Sequence, residues 1–324
     1  MTDHLSVAVV IPTHNRRTLL METLESLAGQ SRPPDRVVVV ADGCVDDTVE
    51  ALAGRPDITV ITSPGLGAAG ARNAGWRTLD ADVIAFIDDD CRAEPRWLAE
   101  LVGQFRAPDV GLVQGTTLPA GEVGPYDRTV RVVRQTGLYE SCNIAYRRDA
   151  LEAVAGMRES FGRGFGQRGG DPATGGGSGF GEDTDLAWRV LRSGWRPEFA
   201  SGAVVRHAVF PGTPKAMVAE AWRTRLFPFL LSEIPELRTY LPGGRWLFRK
   251  QSAIAQMAMG GLIGAVGATL VGRRPYPAIL TLPYLLWLSR QTRQPRRAAD
   301  IAVRDAVTSA ALVTGSVQHR TLLL

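Results

Sequence analysis

Three apolar runs in the first third of the chain each stop at a proline or an aspartate. Val7 to Ile11 ends at Pro12, Arg36 to Ala41 ("RVVVVA") ends at Asp42, and Val83 to Ile87 ends at Asp88. An unbroken run with no polar alternation belongs to a strand covered on both faces, the usual state of a strand in a parallel sheet. Between the first two runs Leu19, Leu20, Thr23, Leu24 and Leu27 recur at helical spacing until Gly29. The spacing then predicts a helix over Asp46 to Ala53, a strand over Ile58 to Thr62, and another helix opened by "GLGAAGARNAG". Strands alternating with helices give a parallel sheet with helices on both faces. Ligands of such sheets bind beyond the carboxyl ends of the strands. The candidate positions are therefore Pro12-Thr13-His14-Asn15-Arg16, Asp42-Gly43 and Asp88-Asp89-Asp90.

The aspartate triplet carries the sharpest chemical demand. At ~5 Å and an effective dielectric of ~20, each pair of carboxylates repels by roughly 3 kcal/mol. A divalent cation offsets that repulsion, and hard oxygen ligands suit Mg²⁺ or Mn²⁺. Strand alternation sends Asp88 and Asp90 to the same side. The competing reading makes Asp90 the cap of a helix starting near Pro95. Downstream, residues 162–181 hold ten glycines in twenty positions, which predicts a mobile loop feeding the acid-capped helix of "EDTDLAWRVLRSGW".

With 324 residues the chain is long for one domain, so one domain of catalytic size over 1–212 and an appendage over 213–324 are expected. The charge supports that division. Residues 1–212 carry 22 basic and 28 acidic side chains, whereas 213–324 carry 15 and 5, within a net charge of +4. An acidic front argues against a nucleic-acid surface, and a basic, apolar tail suits an anionic membrane face; the alternative is a soluble Arg-rich helical subdomain. Within the tail, Ala253 to Gly272 holds twenty residues without a charge, flanked by Arg249-Lys250 and Arg273-Arg274. At ~1.5 Å per residue this reaches ~30 Å, enough to cross or to lie on a bilayer, and Gly260 and Gly264 form a small-xxx-small pair. Cys44, Cys91 and Cys142 have neither disulfide nor zinc spacing, which predicts a reducing compartment. The N-terminus lacks a signal-peptide pattern, so the expected location is the cytoplasmic face of the membrane.

Six segments in order, "VVIPTHNR", "VVVVADGCVDDT", "GAAGARNAGW", "FIDDDC", "ESCNIAYRRDAL" and "GEDTDLAWRVLRSGW", resemble the family-2 glycosyltransferases, inverting enzymes of the GT-A nucleotide-diphospho-sugar transferase fold. The resemblance covers roughly residues 6 to 210, and all three asparagines of the chain, Asn15, Asn73 and Asn143, fall inside it. It implies a Rossmann-like, mostly parallel α/β sheet with a helical, membrane-associated tail. It also implies that Pro12, Thr13, Asn15 and Arg16 pack against the nucleotide, and that Asp42 accepts from the base. Arg72 would meet the phosphates, while Asp88 and Asp89 would lie beside the nucleotide sugar with Asn143. Asp88, Asp90 and His207 would hold Mn²⁺ or Mg²⁺. Asp183 would be the base that deprotonates an acceptor hydroxyl, with Glu182 orienting it, and the acceptor would be a lipid-linked or cell-envelope glycan. Arg147-Arg148 would lie near donor and acceptor, and the glycine-rich loop would close as a lid or stand as a surface insertion. His14 and Trp195 are expected to pack. Ala41 and Cys44 depart from the family's Asp-Asp-Gly-Ser, and the Gln-x-x-Arg-Trp signature of processive synthases is missing at Arg245-Trp246, which favours transfer of one sugar per encounter.

Two other readings are weighed. A sugar-phosphate nucleotidyltransferase needs a glycine-rich basic loop after the first strand, which "IPTHNRR" lacks; a catalytically silent scaffold has no reason to keep every carboxylate. A dinucleotide-binding dehydrogenase is excluded because Pro12 stands where its glycines belong.

Overall fold

The computed structural model describes residues 5–161 and 180–324. The lid expected over 162–181 falls almost wholly outside them. The chain forms two compact units, Met1–Gly124 with Arg128–Phe210, and Pro125–Asp127 with Pro211–Leu324.

The first unit is built on one eight-stranded sheet: β1 (Val7–Thr13), β2 (Arg36–Asp42), β3 (Ile58–Ser63), β4 (Val83–Ile87), β5 (Cys91–Ala93), β6 (Val110–Pro119), β7 (Asn143–Arg147) and β8 (Arg196–His207), in the order β3-β2-β1-β4-β7-β6-β8-β5. The apolar runs behave as their composition dictates, with Val7 to Ile11 and Val83 to Ile87 all buried. Between these strands run α1 (Arg17–Ala28), α2 (Thr48–Leu52), α3 (Gly67–Trp76), α4 (Trp97–Val102), α5 (Arg148–Ala153) and α6 (Glu182–Arg192). Strands β1 to β4 are parallel, but β7 runs antiparallel to both β4 and β6, so the sheet is mixed. The chain winds outward from β1 to β3 and then returns through α3 to β4 on the other side of β1. That reversal opens a crevice at the carboxyl ends of β1 and β4, where sheets of this kind bind ligands. After Asp90 the chain enters β5, and α4 begins only at Trp97 with Arg96 as its cap. Asp90 therefore caps no helix.

The antiparallel β7 corrects one expectation. Its register pairs Asn143 with Ile87 at the carboxyl end of β4 but Arg147 with Val83 at the amino end. Arg147 and Arg148 thus lie at the far edge of the sheet, where Arg147 donates to the carbonyls of Phe105, Ala107 and Val110.

The second unit is helical: α7 (Pro214–Arg223), capped by Thr213, α8 (Phe227–Glu233), α9 (Ser252–Leu270), α10 (Leu282–Gln291) and α11 (Pro295–Gln318). Ala255, Ala258, Tyr284 and Leu288 form a small core between α9 and α10. Helix α9 has mean hydropathy 1.5 with 22% of that stretch buried, and Ile263, Val266 and Leu270 are exposed. Segment 276–281 packs on α9 at Gly261 and Gly264, where an added Cβ would stand 2.7 Å from the Pro277 carbonyl oxygen and 3.1 Å from Pro277 Cβ. Gly260, the other half of the expected pair, meets nothing within 4 Å.

Candidate active site

The polar residues that end β1, β2 and β4 meet at the crevice. Thr13 Oγ1 donates to Asp89 Oδ2 at 2.7 Å, and Arg16 Nη1 donates to Asp89 Oδ1 at 3.0 Å and Asp90 Oδ2 at 2.9 Å. Arg72, delivered by α3, donates to Asp88 Oδ1 at 2.5 Å. The triplet is thus balanced in part by two arginines of the chain itself, whereas the run of carboxylates taken alone points to a metal ion. The balance is incomplete: burial above all pushes Asp89 up to about 6 even against Arg16, and burial and Asp88 raise Asp90.

The remaining oxygen of Asp90 faces His207. The last residue of β8, His207 is paired in register with Cys91, which puts Nε2 3.5 Å from Asp90 Oδ1. Its Nδ1 lies 2.7 Å from the Ala208 carbonyl. A carbonyl only accepts, so the neutral ring carries its proton on Nδ1 and turns the Nε2 lone pair toward a carboxylate oxygen. In that tautomer two acceptors face each other across 3.5 Å, an arrangement that suits a shared cation, whereas a proton on Nε2 makes the same contact an ion pair. Asp90, Cys91 and His207 each offer an atom within 4.8 Å of the others. Contact with Cys142 and burial hold the Cys91 thiol well above its ordinary value, so Asp90 and His207 are the donors that fit Mn²⁺ or Mg²⁺. Asp88 stands within electrostatic reach of Asp90.

Across Arg72 lies a second acidic group. Glu182 and Asp183 open α6, and both, with Asp88, raise the pKa of the buried Arg72 guanidinium. Asp183 is pushed up to about 7 by burial, then by Glu182 and Glu140. Its carboxylate accepts from the backbone N–H of Thr184 at 2.8 Å and of Ser141 at 3.3 Å. Glu140, itself raised by burial and held by Gln114 Nε2 at 2.9 Å, was not singled out in the sequence although it opens "ESCN". A carboxylate three residues before the apolar run of β7 was the available signal.

Other expected residues serve as scaffold. Asp42 Oδ1 accepts from Ser63 Oγ and from the N–H groups of Gly65 and Leu66, and Oδ2 accepts from Gly67 N–H, all at 2.6–3.0 Å. These bonds tie β2 to the start of α3 and use most of the carboxylate's acceptor capacity. Asn15, at φ +52°, accepts from Val45 and Asp46 N–H and so joins the loops after β1 and β2. His14 donates from Nδ1 to the Asp42 carbonyl. Pro12 pairs with Val40 in the sheet. Asn143 is buried and donates both Nδ2 hydrogens, to Thr116 and Ala203 carbonyls, while accepting from Trp97 Nε1. It braces β6, β7 and β8 and leaves no donor for a sugar. Trp195 packs on Gly111.

Residues 8–158 match the family model described as "Glycosyl transferase family 2". Over 224 residues, 63% of this chain, there is 32% identity to a "Pre-mycofactocin glycosyltransferase" of Mycobacterium tuberculosis, of whose length this chain spans only 43%. Over 226 residues there is 26% identity to the "O-antigen chain rhamnosyltransferase RfbN" of Salmonella typhimurium, covering 63% of this chain and 67% of that protein. Among solved structures, the mannosyltransferase PcManGT from Pyrobaculum calidifontis, in complex with GDP-Man and Mn²⁺, superposes with a TM-score of 0.62 at 19% identity, over 98% of this chain and 88% of that one. TarS 1-349 of S. aureus, in complex with UDP, superposes at 0.51 and 15% identity, over 98% and 92%. These likenesses establish the GT-A type of fold.

Proposed function

Because residues 8–158 match the family-2 glycosyltransferase model, we propose that the chain is an inverting, metal-dependent glycosyltransferase. It moves one sugar from a nucleotide-diphospho-sugar to a hydroxyl of a lipid-linked or cell-envelope glycan acceptor at the cytoplasmic face of the membrane. The observation that carries the reading is the pairing of two acidic groups across one buried arginine: Asp88 and Asp90 with His207 on one side, Glu182 and Asp183 on the other.

Each group has a distinct task. Arg72 and Arg16 are the fixed cations available to the donor's diphosphate, and guanidinium geometry suits phosphate oxygens. Asp88, Asp90 and His207 would hold a divalent ion, which would supply Lewis-acid neutralisation of the departing diphosphate. Asp183, raised to about 7, is a base of matched strength for an acceptor hydroxyl near neutral pH. It takes that proton as the hydroxyl oxygen bonds to the anomeric carbon and the diphosphate leaves from the opposite face, so the anomeric configuration inverts. Glu182 keeps Asp183 basic by like-charge repulsion. The names of relatives and neighbours, a rhamnosyltransferase and a mannosyltransferase bound to GDP-Man and Mn²⁺, support this substrate class. The exposed apolar residues of α9 support membrane contact.

Calorimetry of GDP, UDP and dTDP with and without Mn²⁺ tests the donor side. The expected result is metal-dependent binding of one nucleotide, lost in Asp90→Asn; metal-independent binding of equal strength in both proteins would refute the metal site.

A further inference from the structure

In the second unit the tip of α11 and the segment 125–126 border an open cavity of about 240 Å³, lined by Tyr126, Met217, Gln294, Arg296, Arg297 and Arg304 together with Asp300. Its charges are oddly placed for stability alone. Arg296 and Arg297 occupy the first turn of α11, where the helix dipole disfavours cations, and neither has an ion pair among the described residues. Asp300 is engaged by the Tyr126 hydroxyl, and the nearby Asp305 is shared by Arg304 and Tyr284. Arg290, Arg293, Arg296 and Arg297 fall within the eight residues "RQTRQPRR", which contain no carboxylate. Directly before them Ile279, Leu282, Leu285 and Leu286 are each more than half exposed. An arginine cluster adjoining an exposed apolar helix is the arrangement that meets anionic lipid, with the side chains reaching acyl carbon and the guanidinium groups reaching phosphate.

We infer that this cavity is a phosphate site for an anionic lipid headgroup, occupied when the exposed face of α10 and segment 276–281 lies on the bilayer. It rests on the membrane-facing part of the proposed function and is independent of the donor chemistry. A soluble phosphate would satisfy the arginines but would leave the apolar face in water, which is why the lipid is the occupant.

The test is sedimentation of the full chain with phosphatidylcholine vesicles, with and without phosphatidylglycerol. Native protein prefers the anionic vesicles. Arg296→Gln with Arg297→Gln weakens that binding about thirtyfold, at the ~1 kcal/mol that each arginine contributes near such a surface. Arg131→Gln with Arg134→Gln removes the same charge from the first unit and leaves most of the preference intact. Equal binding of native protein to both vesicles overturns the inference, and so do equal losses in the two double variants, which would mean net charge alone. Calorimetric binding of inorganic phosphate that anionic vesicles do not displace overturns the lipid assignment in favour of a soluble ligand. Nucleotide binding, read on the same samples, reports the first unit, so failure of the headgroup site and failure of the donor site are distinguishable.

Discussion

Asp183 shows how one buried carboxylate ties activity to instability. Its pKa in the folded chain, about 7, stands above the ~3.9 of an unfolded aspartate. The folded state therefore holds the proton more tightly, and this residue's contribution to stability is complete below about pH 4 and given up as pH rises through 7. Asp183→Asn is expected to melt at a higher temperature than the native protein at pH 8, while losing transfer by roughly 10²–10⁴-fold; an unchanged rate would remove it from the base's role. Glu140→Gln removes one of the charges that raise Asp183, so the acid limb of the pH–rate profile moves to lower pH, whereas a merely structural Glu140 would change the rate without moving the limb. Asn143→Ala orphans the Trp97 indole N–H and two buried carbonyls. A cost of at least about 1–3 kcal/mol in the denaturant midpoint is expected. At this scale the sequence was legible for acidic residues, because a run of carboxylates after a buried strand has few explanations. The hydrogen bonds that Asp42 and Asn143 make within the fold were not legible, because a motif residue that holds a loop and one that holds a ligand look alike until such bonds are counted.

Among the elements, α3 fits closely against the sheet. Its Gly75 faces β1, and an added Cβ would stand 2.5 Å from Val10 Cγ1. Gly75→Ala gains ~1 kcal/mol of helix propensity but loses about 1–3 kcal/mol to overpacking, so a net fall in Tm is expected. Gly260→Ala in α9 meets nothing within 4 Å, so the propensity gain stands alone and Tm rises. Opposite signs for the same substitution would check the packing directly. The strands were readable because both-face burial leaves an unmixed apolar run, as in Val7 to Ile11. The antiparallel turn of β7 was not, since "NIAYR" carries no mark of direction, and that single reversal sent Arg147 to the far edge of the sheet.

For the molecule as a whole, the charge divides at about residue 212: acids paired with Arg16 and Arg72 in the α/β unit, an arginine-rich segment at 290–297 and exposed apolar residues in the helical one. Raising ionic strength is expected to weaken attachment to anionic vesicles, since these cations are exposed, and an insensitive attachment would mean apolar insertion alone. The family motifs marked the first unit's crevice, whereas the second unit's cavity draws on residues 125–126 and 294–304 together, a juxtaposition that no local pattern announces. That the crevice at β1 and β4 activates a nucleotide-sugar through Asp90 and a divalent ion is the proposal on which the rest depends. Its most direct test is nucleoside-diphosphate release from a panel of UDP-, GDP- and dTDP-sugars with Mn²⁺, Mg²⁺ or EDTA, in native protein and Asp90→Asn. Slow release from one donor, abolished by EDTA and by Asp90→Asn, is expected; release that persists undiminished in both would overturn the proposal.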